Sequence, residues 1–474
     1  MANSLKWSCL VLIVLGAILW LINWWAGRPL FLDEANVARN LFDRSFSGLF
    51  SPLDHRQYAP PLYLVAAKLC GELFGYGERA LRLPALAGGT LAIIGLFLTG
   101  KSLKLGWWLL LPLALAFLNP DVLRYVSEVK PYSIDLGVAA LITGMACTKH
   151  RFSWVIWGIA GVLMIWLSLP AVFVLAAAGA AQFMFPEANE SKQQQSERLI
   201  WLGIGTCWLL SFALLYLTVL RPAIGSSYLN TYHETYFFPL PQQNYPWEQL
   251  GNLLFSIPKL AFGFTAIAIV FGTAALVAGW LRSSWFHRTL LVGPLLLVLV
   301  VSGFGYYSLI PRLLLFVLPG LWVLATMGSK YVFETTNLPG LWKYSFIVIW
   351  VLVLGGTNVV RHFWQPLSFS DARRLATSME EGYTPVLHHG AVPGFDYYQR
   401  IHPETRKGTL LEVQEGDIRT QEFPGKYVLL YDVLTQGNIR QSVQSDSTWA
   451  TARGCKVKSE AMFRAKAVYV DCGE

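Results

Sequence analysis

The sequence predicts an all-α polytopic membrane protein carrying a small soluble α/β domain at its C-terminal end. Three observations predict it. Of the 474 residues 54% are hydrophobic and only 14% are charged, against about 25% charged in a soluble domain, and the mean hydropathy is +0.44. Apolar runs long enough to cross a bilayer recur from Trp7 onward, about 20 residues being needed to span the hydrocarbon. Past Arg361 the composition turns polar and breaks into short helix-like and strand-like segments.

The first run, Trp7 to Trp25, lacks a small-residue cleavage site and reads as a retained anchor. Further runs fall at 83–100, 106–123, 132–148, 153–168, 170–185, 199–220, 255–281, 288–305, 312–328 and 343–360, about 11 spans in all. The segment 61–75 is apolar but short and carries Lys68 and Glu72, so it reads as a juxtamembrane helix of the first outer loop. Lys6, Lys101 with Lys104, Lys149 to Arg151, Lys192 with Arg198, Arg282 with Arg288, and Lys330 with Lys343 fall on alternate connections, the positive-inside pattern. That places 26–82, 124–131, 221–254, 303–311 and the tail outside. The polar stretch Glu187 to Arg198 reads as a solvated loop. Two domains follow: a transmembrane catalytic domain at 1–362 and an outward-facing α/β domain at 365–474, with a helix-like Asp371 to Glu381 and strand-like Tyr427 to Tyr431 and Ala467 to Val470.

The net charge of +8 is spread over short loops; it orients the chain in a membrane and does not point to nucleic acid. There is no CxxC pair for a metal cluster. Cys9, Cys70, Cys147 and Cys207 lie in or beside apolar runs and behave as small hydrophobes. Cys455 and Cys472 both fall in the polar tail and are disulfide candidates if that tail is extracytoplasmic.

Four polar clusters share the outer face. Asp33-Glu34 opens an amphipathic stretch just after the first span, where carboxylates are costly unless they serve a site; Asp33 also suits a helix cap. His55-Arg56-Gln57-Tyr58 precedes Pro60-Pro61, which fixes an extended approach to the next helix. Arg124 to Tyr132 brings Glu128, Lys130 and phenols between two spans, with Asp135 one turn on; snorkelling anchors are the plainer use of such residues. Tyr306-Tyr307 and Arg312 end the series, and a guanidinium there can grip a phosphate by two parallel hydrogen bonds. The loop from Arg221, with Tyr228, Tyr232, His233, Glu234, Tyr236 and Trp247, offers aromatic surface suited to sugar stacking.

Taken in order, FLDEA at 31–35, YAPPLYL at 58–64, ERALRLPAL at 78–86, SEVKPYSID at 127–135 and PRLLLFVLP at 311–319 resemble the GT-C superfamily of integral-membrane glycosyltransferases. The nearest types are protein O-mannosyltransferases, lipid A aminoarabinose transferases and rhizobial lipopolysaccharide-core transferases. The resemblance covers 31–135 well and the later spans by order and character. It implies an enzyme of a bacterial inner membrane, with its site and C-terminal domain in the periplasm, that uses a polyprenyl-phosphate-linked sugar. It further implies Asp33 as catalytic base with Glu34 beside it, and Glu128 lining the cavity. Lys130 would line the cavity too, and Arg312 would stand on the carrier phosphate. Tyr58-Ala59 stand where the aminoarabinose transferases carry a Glu-Lys pair, a departure that loosens any inference to a lipid A substrate.

The residues fit that chemistry. A carboxylate at the interface takes the proton of an acceptor hydroxyl as its oxygen attacks the anomeric carbon. The carrier phosphate leaves from the opposite face, inverting the centre, with Arg312 and also Lys130 or Arg56 opposing its charge. His55, Tyr58, Tyr132 and Tyr307 complete the expected cavity. No cofactor is required, although Asp33, Glu34 and Glu128 are oxygen ligands of the kind a divalent cation takes. The acceptor is a lipid, a glycan or a protein. A transporter or flippase of a lipid-linked substrate is the rival reading, but its polar groups would sit at the bilayer midplane, not at span ends.

Overall fold

The computed structural model describes residues 3–148, 152–186, 191–224, 233–239, 246–263, 265–336, 340–364, 370–402, 411–413, 425–434 and 436–473. They form an apolar helical bundle followed by a sheet domain, as the composition predicts. Five helices are long and apolar enough to cross a membrane: Ser4–Trp25, Glu78–Ser102, Gln193–Leu220, Trp285–Gly303 and Pro311–Thr335. Four shorter apolar helices accompany them, Gly106–Leu118, Tyr132–Cys147, Trp154–Leu167 and Ala171–Met184. By length, then, the described helices give fewer full crossings than the eleven expected from hydropathy.

Two expected runs and one expected loop are built differently. The run 255–281 is two helices, Trp247–Phe262 and Ala266–Arg282, which meet at 96°. Gly263 stands at the break with φ +87°, a conformation glycine alone adopts cheaply. The run 106–123 ends at Leu118, because Asn119 precedes a proline and takes an extended conformation. The Asn119 side chain then caps the next helix, Pro120–Tyr125, by accepting from the amides of Asp121 and Val122. The polar stretch read as a loop is partly helical, since one helix runs from Ser191 to Leu215.

The helix pair that carries the third polar cluster packs backbone against backbone. Leu83–Ser102 and Tyr132–Cys147 meet through Gly88 and Gly95 on one side and Gly137 and Gly144 on the other. A Cβ on Gly137 would sit 2.2 Å from the Gly88 carbonyl oxygen, and one on Gly95 would lie 2.2 Å from the Ala140 carbonyl carbon. Small residues of this kind let helix backbones touch where lipid supplies no hydrophobic drive. Ser133 adds a hydrogen bond to the Ala85 carbonyl. The turn 126–131 is thereby fixed against the rest of the bundle.

The C-terminal domain is a five-stranded sheet of order β2-β1-β3-β5-β4, with β1 Thr384–His388, β2 Leu411–Val413, β3 Lys426–Tyr431, β4 Lys456–Met462 and β5 Ala465–Asp471. The first three are parallel and the last two antiparallel to their neighbours. Near-continuous apolar runs such as Val428-Leu429-Leu430 fit strands covered on both faces. Cys455 and Cys472 are joined by a disulfide that closes the open end of the β4–β5 hairpin.

Candidate active site

The Asp33 helix, Leu32–Asp43, begins where the chain leaves its first span. Its sequence turns Val37, Ala38 and Leu41 inward, so Glu34, one turn before Ala38, is carried inside with them. Glu34 is 1% exposed. Its two oxygens accept from Nε and Nη2 of Arg82, each at 3.0 Å. They also accept from the amides of Val129 at 2.7 Å and Phe31 at 3.1 Å. Burial pushes the Glu34 carboxyl up, and the Arg82 charge and the two amides pull it back. With four donors on it, Glu34 ties three segments of the chain together.

Asp33, one residue earlier, is half-exposed. Among the described residues no hydrogen bond or ion pair reaches its carboxylate. Its charge acts on Lys130 and Tyr132, as does that of Arg312. Lys130 is 6% exposed and donates to Oε1 of Gln57 at 2.9 Å. Burial lowers its ammonium below the ordinary range, Asp33 opposes that shift and Arg312 adds to it. The four sequence clusters are therefore brought together through Asp33, Gln57, Lys130 and Arg312. His233 joins them within electrostatic reach of Arg312; Tyr228 and Tyr232 lie outside the described residues.

Two other acidic groups here are paired. Glu128 accepts from Nε of Arg124 at 2.7 Å, and Oδ1 of Asp135 accepts from the Ser168 hydroxyl at 2.7 Å. The Tyr307 hydroxyl donates to the Leu313 carbonyl at 2.8 Å and braces the Pro311–Val317 turn that presents Arg312. Tyr132 packs edge-on to Tyr125. His55 is placed elsewhere: it faces Arg39, Asp54, Asp396 and Arg400 at the junction with the C-terminal domain. His55 and Arg56 both adopt positive φ, 59° and 54°, a backbone that non-glycine residues rarely hold without cause. Tyr58 lines a small crevice with Gln57, Leu53, Leu169 and Leu220, which reaches the Gln57–Lys130 pair from the side. No group of three His, Cys, Asp or Glu that could hold a metal ion occurs among the described residues.

Two contributors escaped the sequence reading. Arg82 stands in the ERALRLPAL stretch, where a charged residue before a proline in an apolar context was its signal. Tyr63 is fully buried beside Glu34, Glu128, Tyr132 and Asp135, and its hydroxyl finds no partner among the described residues. It falls within the YAPPLYL stretch, but as a tyrosine on an apolar helix it carries no separate sign of its role.

This arrangement sits in a known architecture. The chain has the GT-C fold of ArnT. It is similar to the crystal structure of ArnT from Cupriavidus metallidurans bound to undecaprenyl phosphate, with a TM-score of 0.55 at 11% identity over 99% of this chain and 98% of that one. The apo form of ArnT gives a TM-score of 0.52 at 12% identity, covering 98% of both chains. No protein-family model and no curated protein sequence matches the chain. At this identity the likeness is one of fold, and it spans both the bundle and the C-terminal domain.

Proposed function

We propose that this protein is an inverting glycosyltransferase that moves a sugar from a polyprenyl-phosphate donor to an extracytoplasmic acceptor, with Asp33 as base. One observation carries the reading. Of the carboxylates that act on Lys130, Glu34 and Glu128 are each held by a donor, and Asp33 takes no bond among the described residues. The fold supports the same reading, since ArnT of this architecture was crystallised with undecaprenyl phosphate. The charge asymmetry of the loops supports an orientation with this face away from the cytoplasm, and the periplasmic side of a bacterial inner membrane is the setting proposed for it.

In the proposed reaction the acceptor hydroxyl attacks the anomeric carbon and gives its proton to Asp33. The bond from that carbon to the phosphate oxygen breaks, and the electron pair leaves with the polyprenyl phosphate. Lys130 and Arg312 oppose the charge that grows there, and Lys130 is itself largely shielded from water. Gln57 orients the Lys130 ammonium. Glu34 and Glu128 hold backbone and Arg124 in place. Arg56, also in the first outer loop, is assigned no contact with the phosphate.

The test is transfer from a panel of radiolabelled polyprenyl-phosphate sugars in liposomes, with wild type and Asp33→Asn side by side. Release of polyprenyl phosphate by the wild type alone supports the assignment. Equal release by both removes Asp33 from the role, and translocation without transfer replaces the enzyme by a transporter.

A further inference from the structure

Residues 27–31 carry the chain from the first span to the Asp33 helix without regular secondary structure. A part-buried irregular segment must find a partner for each backbone N–H and C=O. Here the partners are side chains. Arg79 donates to the Trp25 carbonyl at 2.9 Å, Arg82 to the Arg28 carbonyl at 2.7 Å, and Glu34 accepts from the Phe31 amide. Two more come from the C-terminal domain. Nη2 of Arg373 donates to the Gly27 carbonyl at 2.8 Å, and the Tyr398 hydroxyl accepts from the Leu30 amide at 2.7 Å.

Tyr398 is fully buried and makes a second bond, donating to Oε1 of Glu78 at 2.7 Å. Glu78 is in turn paired with Nε of Arg373 at 3.2 Å. The helix that carries Tyr398, Val392–Ile401, lies along the Asp33 helix. Asp396 pairs with Arg39 at 2.6 Å, and Arg400 pairs with Asp43. Phe31 and Leu32 pack against the apolar cluster of the C-terminal domain that includes Tyr431, Val433 and Ile439. The Asp33 carboxylate bonds to nothing among the described residues, so the backbone before it sets its place.

We propose that Tyr398 is a positioning residue for sugar transfer, through which the C-terminal domain holds the Leu30 amide and so fixes Asp33 three residues on. This rests on the reading of Asp33 as base. The proposal gives the C-terminal domain a part in the reaction itself rather than in covering the site. A reacting group displaced by about 1 Å loses on the order of 10² in rate, and one lost anchor of several is expected to cost less.

Tyr398→Phe keeps the ring and removes both hydrogen bonds. In the full-length protein kcat is expected to fall about tenfold with the donor KM within about twofold, since the interaction acts on geometry and not on donor binding. Hydrogen exchange over residues 26–34 should quicken, while exchange over 83–100 stays as in the wild type. Arg374→Gln, which breaks an exposed pair with Glu460 inside the same domain, should leave both readouts unchanged. Wild-type kcat together with unchanged exchange at 26–34 overturns the proposal, as does a loss of rate that only tracks the folded fraction. If Asp33→Asn turns over normally, the base assignment falls instead, and the exchange measurement still decides whether Tyr398 holds this segment.

Discussion

Glu34 and Arg82, 48 positions apart in sequence, form a two-bonded ion pair with both side chains less than 5% exposed. Taking two charges out of water is expensive, and only good geometry with further hydrogen bonds offsets it. Here the Val129 and Phe31 amides complete Glu34, and the Arg28 carbonyl completes Arg82. Removing one member leaves the other as an uncompensated buried charge.

Glu34→Gln is therefore expected to cost about 3–5 kcal/mol of stability, read as a lowered thermal midpoint in detergent. Because the amide keeps one acceptor oxygen but repels a guanidinium donor with its NH2, Arg82 should lose its pairing without a change of volume. A midpoint within a degree of the wild type would show that the pair is dispensable.

Asp33→Asn should behave in the opposite manner. Its carboxylate takes no bond among the described residues, so the thermal midpoint should hold while turnover falls on the order of 10²–10⁴. The two neighbouring acids thus separate: one substitution costs stability, the other costs rate. Parallel loss of both properties in Asp33→Asn would contradict this division.

Arg312→Gln removes a cation that acts on Lys130, Tyr132 and His233. If it opposes charge on the departing phosphate, kcat should fall by roughly 10²-fold, the scale of losing one preorganised donor to a developing anion. Lys130→Gln should add to that loss. Unchanged kcat in both variants would mean that the phosphate departs elsewhere.

The sequence showed the class and the order of the polar clusters, because membrane spans and their loops are written in hydropathy and charge. It showed less of what each charge does. Asp33 and Glu34 are adjacent and alike in sequence, yet a helix turns them roughly 100° apart, one toward Lys130 and one toward Arg82. His55 reads as a cavity residue with Tyr58, but the positive-φ backbone at 55 and 56 accompanies its placement beside Asp396 and Arg400 instead. The break at Gly263 was invisible to hydropathy, since both arms are apolar. The seat of the C-terminal domain on the Asp33 helix joins residues more than 300 apart, and no local pattern encodes such a pairing.

The Cys455–Cys472 disulfide closes a loop with a sequence separation of 17. On the chain-entropy account, a loop of this size contributes about 3 kcal/mol. Reduction, or Cys455→Ser with Cys472→Ser, should lower the midpoint of the C-terminal domain and free the β4 edge for proteolysis. Equal protease resistance in the reduced and oxidised protein would remove this role.

Asp432 follows β3, is 1% exposed, and lies beside Gly394 of the helix that carries Tyr398. Burial raises its carboxyl from 3.8 to about 6; the bond from the Val433 amide opposes the shift, and nearby Asp371 adds to it. A carboxyl whose pKa is higher in the fold than in the unfolded chain is protonated first in the fold. Its favourable contribution is complete below 3.8 and is lost as the pH rises through about 6. A shift of about two units corresponds to roughly 3 kcal/mol. Asp432→Asn is neutral at every pH and lacks this term. The stability of the wild type relative to Asp432→Asn should therefore rise as the pH falls from 7.5 to 4.5, measured as thermal midpoints of both proteins in the same buffers. Every other titrating group is common to the pair and cancels in the difference. A difference that stays flat across that window would show that Asp432 is already solvated or already protonated at neutral pH.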